Sequence, residues 1–126
     1  MSERDILQVG YRQGEKIWGK ERFARMAQSG KEMHPAFWDL ALTAWSLFAR
    51  PELEPRIRSL CLVAALTVLG RTEELRIHIF GALNNGATQQ EVMEAIVQTA
   101  PYGGIPTSRQ AILAAKKCFE SYQKPG

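Results

Sequence analysis

The spacing of apolar residues is the feature that most constrains how this chain can fold. In segment after segment these residues recur at intervals of three and four, as on one face of a helix. The alternation at every second residue that marks a half-buried strand is absent from the sequence. Near the end of the chain the spacing is 3-4-3, at Ile112, Ala115, Phe119 and Tyr122. The pattern predicts an all-α protein.

Proline, glycine and capping residues divide this pattern into about six predicted helices. Their bounds run from about Asp5 to Gln28, from Pro35 to Pro51, from Glu54-Pro55 to Gly70, from Thr72 to Asn84-Asn85-Gly86, from Thr88 to Pro101, and from Pro106 to a frayed tail at Gln123. We expect the first helix to break near Gly14 or Gly19 and to end at Ser29-Gly30. Thr72 is predicted to cap the fourth helix, and Thr88 to Glu91 has the pattern of a capping box.

Length and composition indicate one soluble globular unit. The 126 residues suit a single domain over positions 1–126 with one core, and 45% hydrophobic with 23% charged residues argues against disorder. Lysine and arginine are dispersed among acids, so no nucleic-acid partner is expected. No run reaches the roughly 18 apolar residues of a membrane span, and Met1 to Asp5 carries charges where a secretory signal is apolar. We expect a cytoplasmic protein.

The two cysteines do not form a recognisable functional pair. Cys61 and Cys118 are far apart in sequence, with no CxxC or metal-ligand spacing. Cys61 lies in an apolar run, so we expect a buried and inert thiol there. No cluster of His, Cys, Asp and Glu predicts a metal site.

The strongest candidate for chemistry is the pair Glu74 and His78. Four residues apart on a helix, a carboxylate and an imidazole lie on one face, beside the apolar Leu75, Ile79 and Ala82. Histidine titrates near neutrality, and a carboxylate one turn away can orient it and shift its proton affinity. The alternative is a surface pair that contributes only about 0.2–0.5 kcal/mol to the helix.

Two further places suggest substrate binding. Arg58 lies in a mostly apolar helix, where its guanidinium needs either a substrate carboxylate or a salt bridge within or between subunits. Tyr102, Gly103 and Gly104 lie in a glycine-rich break, where the hydroxyl could approach a pocket and the two glycine amides could be open to a ligand. The turn alone could also explain both glycines.

A longer set of residues then carries a family resemblance. In order and spacing these are Arg56-Ile57-Arg58-Ser59-Leu60, Ala64-Ala65-Leu66, Leu69-Gly70-Arg71, Glu74-Leu75-Arg76, His78, Gly81-Ala82-Leu83-Asn84-Asn85-Gly86, Glu91 and Tyr102-Gly103-Gly104-Ile105-Pro106. From about Leu53 to Phe119 the chain resembles the carboxymuconolactone decarboxylase family. The resemblance implies an alkylhydroperoxidase D-like helical subunit, assembled into a homo-oligomer, a hexamer or a trimer, that needs no cofactor.

The family has two chemical branches. Its peroxidase branch carries CxxCxxxH, and alignment of His78 with that histidine places Arg71 and Glu74 at the two cysteine positions. Thiol peroxidase activity is therefore not expected. The decarboxylase branch has a glutamate and a histidine where Glu74 and His78 stand. The first 30 residues depart from that branch, because Gly14, Ile17-Trp18-Gly19 and Glu21-Arg22 form a shortened version of its usual start without its histidine.

The resemblance implies a cofactor-independent carboxy-lyase. The family's typical substrate is 4-carboxymuconolactone, an intermediate of the β-ketoadipate pathway of aromatic catabolism. His78 is expected to protonate carbon after CO2 leaves, Glu74 to orient it, Arg58 to hold a carboxylate, and Tyr102, Gly103 and Gly104 to contact the substrate. Two alternatives remain at this point: a paralogue that acts on another lactone or polyketide-type ring, and a non-catalytic ligand-binding oligomer.

Overall fold

The computed structural model describes residues 2–125, and every regular element in that range is helical. Seven α-helices follow one another: α1 (Glu3–Trp18), α2 (Lys20–Met33), α3 (Pro35–Ser46), α4 (Pro55–Leu69), α5 (Thr72–Asn84), α6 (Gln89–Gly103) and α7 (Ile105–Ser121). A short 3₁₀ turn, Leu47–Ala49, follows α3. The all-α prediction is confirmed, with one helix more than expected. Across the described range, no helix has both the length and the apolar character that crossing a bilayer demands.

The additional helix arises because the first predicted helix divides at Gly19. Its φ of 86° lies in the left-handed region that glycine adopts without strain, so α1 ends there and α2 begins. Gly14, the other predicted break, stays inside α1, where an added Cβ would lie 2.2 Å from the Phe23 ring. Ser29-Gly30 does not end the helix as predicted, since α2 continues to Met33.

The chain forms two compact units, and the first comprises the residues up to Glu54 together with Pro125. Helices α1, α2 and α3 pack against one another in this unit. Its interior is aromatic, with ring centroids 4.9–6.0 Å apart among Tyr11, Trp18, Phe23, Trp38 and Trp45. Such contacts add to the apolar burial of each ring. The single domain over residues 1–126 remains a prediction.

The second unit, Pro55–Lys124, contains α4 to α7. Its core is aliphatic and consists of Val63, Leu75, Ile79, Ala82, Ala87, Val92, Ile96, Ala111 and Ala115. Helix α4 buries the stripe of Ser59, Val63 and Thr67, which recur every fourth residue. Cys61 lies off that stripe and is exposed, so the predicted buried thiol is wrong. Because α4 is apolar on nearly every face, its sequence did not reveal which face is covered.

Of the two N-terminal caps predicted for α5 and α6, one is confirmed. Arg71, with φ −90° and ψ 74°, is the N-cap of α5 and provides no side-chain cap, whereas Thr72 is already the first helical residue. The predicted Thr72 cap is therefore one residue late. The capping box of α6 is confirmed: the Glu91 N–H donates to Thr88 Oγ1 at 2.9 Å, and the Thr88 N–H donates to Glu91 Oε1 at 3.0 Å.

Candidate functional site

Helix α5 places Glu74 and His78 at the border between core and surface. Its inner face is set by Leu75, Ile79 and Ala82, each no more than 1% exposed. One turn apart on the neighbouring face, His78 is half-buried and Glu74 is exposed. The imidazole is therefore shielded from much of the solvent, while the carboxylate that acts on it stays hydrated.

Burial and the charge of Glu74 shift the pKa of His78 in opposite directions. Burial lowers the pKa of His78 from 6.5 to about 4, since the charged imidazolium loses hydration. The negative charge of Glu74 favours the imidazolium and raises the pKa, but by less than burial lowers it. The imidazole is thus neutral at pH 7, and one of its ring nitrogens can accept a hydrogen bond.

A buried polar contact joins α4 to the end of α5. The Asn85 side-chain amide donates to Ser59 Oγ at 2.9 Å, and Ser59 is 1% exposed. Asn85 follows His78 by seven residues, so the two lie on the same side of α5. Arg58, the residue before Ser59, is half-buried on α4. Sequence reasoning missed this contact, because it treated Asn85 only as part of a helix stop and because no spacing within α5 indicates which residue of α4 lies opposite.

A second cross-helix contact fixes the start of α4 to the start of α6. Arg56 forms a partly buried ion pair with Glu91, the residue that also closes the α6 capping box. The pKa of Glu91 is lowered, chiefly by the hydrogen bond from the Thr88 backbone and further by Arg56. Arg56 therefore has a structural partner on α6.

The glycine-rich break between α6 and α7 is shorter than predicted. Helix α6 continues through Pro101 to Gly103, and α7 begins at Ile105, so the predicted break from Pro101 to Pro106 is reduced to the single residue Gly104. Gly104 has φ 104°, and its N–H donates to the Ala100 carbonyl at 3.0 Å, so this amide is not open to a ligand as predicted. This left-handed conformation explains why glycine is needed at the corner.

Packing accounts for the neighbouring glycine as well. A Cβ on Gly103 would lie 2.9 Å from Val68 Cγ2, so this glycine permits α6 to approach α4 closely. Tyr102, in contrast, is 86% exposed and projects from the end of α6. The substrate-binding roles of Arg58, Tyr102, Gly103 and Gly104 remain predictions.

The described residues thus place Glu74 beside His78 and Ser59 beside Asn85. Within that part of the chain, no group of three or more His, Cys, Asp and Glu side chains is arranged to hold a metal ion. Of the two thiols, Cys61 is exposed, and the Sγ of Cys118 lies 3.9 Å from the Arg76 carbonyl oxygen.

Comparison with known proteins identifies relatives that align with 68–95% of the chain. The chain is 32% identical over 122 residues to the 4-carboxymuconolactone decarboxylase of Acinetobacter baylyi, an alignment that covers 95% of this chain and 91% of that protein. It is 33% identical over 88 residues to a nitrosuccinic acid decarboxylase of Metarhizium robertsii, covering 68% of this chain and 62% of that protein. An uncharacterised 15.0 kDa protein of Paracoccus denitrificans is 32% identical over 120 residues, covering 77% of this chain and 90% of that protein.

A family model gives the same assignment. The model of the carboxymuconolactone decarboxylase family matches residues 35–117. The match begins at the start of α3, earlier than the predicted resemblance from about Leu53, and it includes both Glu74 and His78. Together with the alignment over 95% of the chain, this match shows that the protein belongs to the carboxymuconolactone decarboxylase family.

Proposed function

We propose that the protein is a cofactor-independent decarboxylase of a small polycarboxylic acid, with 4-carboxymuconolactone as the first candidate substrate. The observation that carries this proposal is the Glu74 and His78 pair on α5, within a chain that aligns over 95% of its length with a decarboxylase of that lactone. Both named decarboxylase relatives support the general reaction type.

The proposed reaction needs no external electron acceptor. In carboxymuconolactone the departing carboxylate is attached to a saturated ring carbon that is linked through a double bond to the lactone carbonyl. When the carbon–carboxylate bond breaks and CO2 leaves, the electron pair moves to that carbonyl oxygen and forms a dienolate. A proton delivered to carbon then gives the enol-lactone. The protein must hold the carboxylates, stabilise the oxygen on which charge develops, and supply the proton.

Each of these tasks has a candidate residue. Arg58 on α4 is assigned to a substrate carboxylate, because a guanidinium can bind a carboxylate through two parallel hydrogen bonds. His78 is assigned to deliver the proton, and Glu74 to orient its ring and favour its charged form. The Tyr102 hydroxyl is assigned to the substrate from the end of α6, with Gly103 and Gly104 shaping the corner beside it.

Proton delivery requires that substrate binding changes the state of His78. The pKa of about 4 leaves this residue neutral in the free chain at pH 7. A substrate with two carboxylates adds negative charge near the imidazole, and that charge raises the pKa of His78. The pH profile of kcat/KM reports the free enzyme and should therefore show a pKa near 4 for His78. The profile of kcat reports the enzyme–substrate complex and should show a higher pKa for the same group.

The test uses the lactone itself, followed by ultraviolet absorbance as its conjugation changes. His78→Ala and His78→Gln are expected to lower kcat by about 10²–10⁴-fold, the usual loss for a positioned general acid, with folding retained. Glu74→Gln should have a smaller effect on the same step. His34→Asn is the matched control, because His34 is exposed and asparagine can replace its cap on the Ala36 N–H. Near-normal turnover in folded His78→Ala would contradict the proposal.

A second candidate is a paralogue acting on a different activated acid. The relative named for nitrosuccinic acid favours it, because a nitro group can accept electrons from a departing carboxylate much as a lactone carbonyl can. Parallel assays of 4-carboxymuconolactone, nitrosuccinate and related ring lactones separate the candidates by kcat/KM. Saturable binding of these acids without turnover of any would favour a non-catalytic ligand-binding oligomer.

A further inference from the structure

One side of α5 carries two half-buried polar side chains, His78 and Asn85. Asn85 is the C-cap residue of the helix and follows His78 by seven residues. Seven residues make two turns, so the two side chains lie on one line along the helix, about 10 Å apart. This line has the candidate proton donor at one end and a neutral amide at the other.

The neighbouring helix holds the Asn85 amide in one orientation. Its Nδ2 donates one hydrogen to Ser59 Oγ at 2.9 Å, and Ser59 is 1% exposed, so water has little access to this contact. An asparagine amide has two N–H donors, and among residues 2–125 the second N–H of Asn85 has no acceptor. Because Asn85 is only half-buried, this oriented donor can reach a bound ligand.

The charges at this end of α5 favour an anionic ligand. The last carbonyl groups of α5 carry about half a negative charge, and the first N–H groups of α4 carry about half a positive charge. Ser59 lies near the start of α4, so its contact with Asn85 brings the two helix ends together and their effects nearly cancel. Arg58, half-buried and next to Ser59, then decides the sign, since it carries a full positive charge.

We propose that Asn85, together with Arg58, binds the carboxylate that the substrate retains after CO2 leaves, and that Ser59 positions Asn85 for this contact. The inference rests on the proposed function, because a polycarboxylic acid that loses one carboxylate keeps another. Amide and guanidinium N–H groups both donate hydrogen bonds to carboxylates.

The length of the proposed substrate matches this arrangement. In 4-carboxymuconolactone four bonds separate the carbon that receives the proton from the retained carboxylate, which places them about 4–5 Å apart. Contacts of about 3 Å at each end extend the span to about 10–11 Å, close to the spacing of His78 and Asn85. Asn85 therefore selects diacids in which the second carboxylate lies at this distance from the reacting carbon.

The test uses a ligand that keeps only this carboxylate and cannot react. A saturated γ-lactone with an acetate side arm meets the requirement, and its primary amide is the matched neutral ligand. Isothermal titration of the full chain measures both dissociation constants. We expect the parent protein to prefer the acetate to the amide about tenfold, because hydrogen bonds to a charged group are roughly twice as strong as neutral ones.

Substitutions at Asn85 should change this preference in a defined way. Asn85→Ala should weaken acetate binding about tenfold, since it removes a hydrogen bond to a charged group. Asn85→Asp should reverse the preference, because its carboxylate repels the acetate, while it still accepts from the Ser59 hydroxyl and so keeps the contact between α4 and α5. Asn84→Asp is the matched control and should leave the preference unchanged, since Asn84 accepts instead from the Tyr122 hydroxyl on α7.

The variant Ser59→Ala separates positioning from a structural role. Without the Oγ acceptor the Asn85 amide can rotate, so acetate affinity should fall, but by less than in Asn85→Ala. Added to Asn85→Ala, the substitution should cause no further loss of acetate affinity, because both residues act on one contact. Losses that add in the double variant would contradict the positioning role of Ser59.

Kinetics with the reactive lactone distinguish Asn85 from His78. The retained carboxylate keeps its charge throughout the reaction, so Asn85→Ala should raise KM about tenfold with little change in kcat. His78→Ala should instead lower kcat.

The outcomes separate this inference from the proposed function. An unchanged acetate preference in folded Asn85→Ala and Asn85→Asp, with the lactone still turned over by the parent, would reject the site and leave the decarboxylase proposal in place. Failure of the folded parent to bind the acetate at millimolar concentration would also reject the site. A preference that depends on Asn85 in a parent that turns over no acid would retain the carboxylate site and reject the decarboxylase proposal.

Discussion

At the scale of single residues, the state of His78 is decided by a competition between burial and a nearby charge. Burial dominates and lowers its pKa to about 4, whereas Glu74 raises it. The stability of the protein must then depend on pH, because the unfolded chain holds this histidine at its ordinary pKa of 6.5.

Between pH 6.5 and about 4 the unfolded chain binds a proton at His78 that the folded chain does not. Acidification therefore favours unfolding in this window. The stability that depends on a neutral His78 is lost completely below about pH 4. From pH 7 to pH 5 we expect the free energy of unfolding to fall by about 2 kcal/mol from this group alone. Urea unfolding at the two pH values measures the change.

The control uses the chain's other histidine. His78→Gln should remove most of this pH dependence, whereas His34→Asn should retain it, because His34 is exposed. The lowered pKa of Glu91 contributes stability that is lost mainly as the pH falls below its ordinary pKa of 4.5, so it has little effect on the comparison between pH 7 and pH 5. An unchanged pH dependence in His78→Gln would show that burial of the imidazole is not its cause.

The proximity of Glu74 and His78 could be predicted because it depends only on local helix geometry. Glu74 and His78 interact because helix geometry fixes the relation of residues four apart, which the sequence alone determines. The contact between Asn85 and Ser59 joins residues 26 positions apart, and it depends on how α4 lies against α5. No periodicity within one helix contains that information.

At the scale of elements, glycines determine how closely the first helices pack. An added Cβ on Gly10 would lie 2.0 Å from the Leu42 carbonyl oxygen, so α1 and α3 nearly touch at this point. The same principle explains why Gly14 did not break α1 and Gly30 did not end α2, since each faces an aromatic ring from another helix. Helix periodicity was visible in the sequence, but which glycine serves packing and which serves a turn depended on the partner helix.

Gly10→Ala is therefore expected to destabilise the protein, although alanine is the better helix former. The new methyl group would meet backbone, which cannot rotate away as a side chain can, and overpacking of this kind costs about 1–3 kcal/mol. Thermal and urea unfolding measure the loss. Gln8→Ala, at an exposed position of the same helix, is the control and should be neutral or slightly stabilising. Equal stability of the two variants would mean that the α1–α3 contact is looser than described.

At the scale of the whole molecule, apolar side chains remain on the surface of the first unit. Phe37 and Leu40, three residues apart on one face of α3, are 53% and 69% exposed, and Met33 and Leu47 at either end of that helix are 72% and 51% exposed. Clustered exposed apolar side chains mark interaction surfaces in soluble proteins. The α3 surface, defined by these four residues, therefore supports the sequence-based prediction of a homo-oligomer.

We expect the purified chain to sediment as a closed assembly, a trimer or a hexamer, at micromolar concentration, because point-group symmetry buries the same surface on every copy. Leu40→Asp places a charge in the α3 surface and should shift the sedimentation profile towards the monomer, with helicity by circular dichroism unchanged. Ala24→Asp adds the same charge at an exposed position of α2 and should leave the assembly intact. A parent protein that sediments as a monomer would refute the predicted oligomer. An assembly unaffected by Leu40→Asp would instead place the interface on another surface.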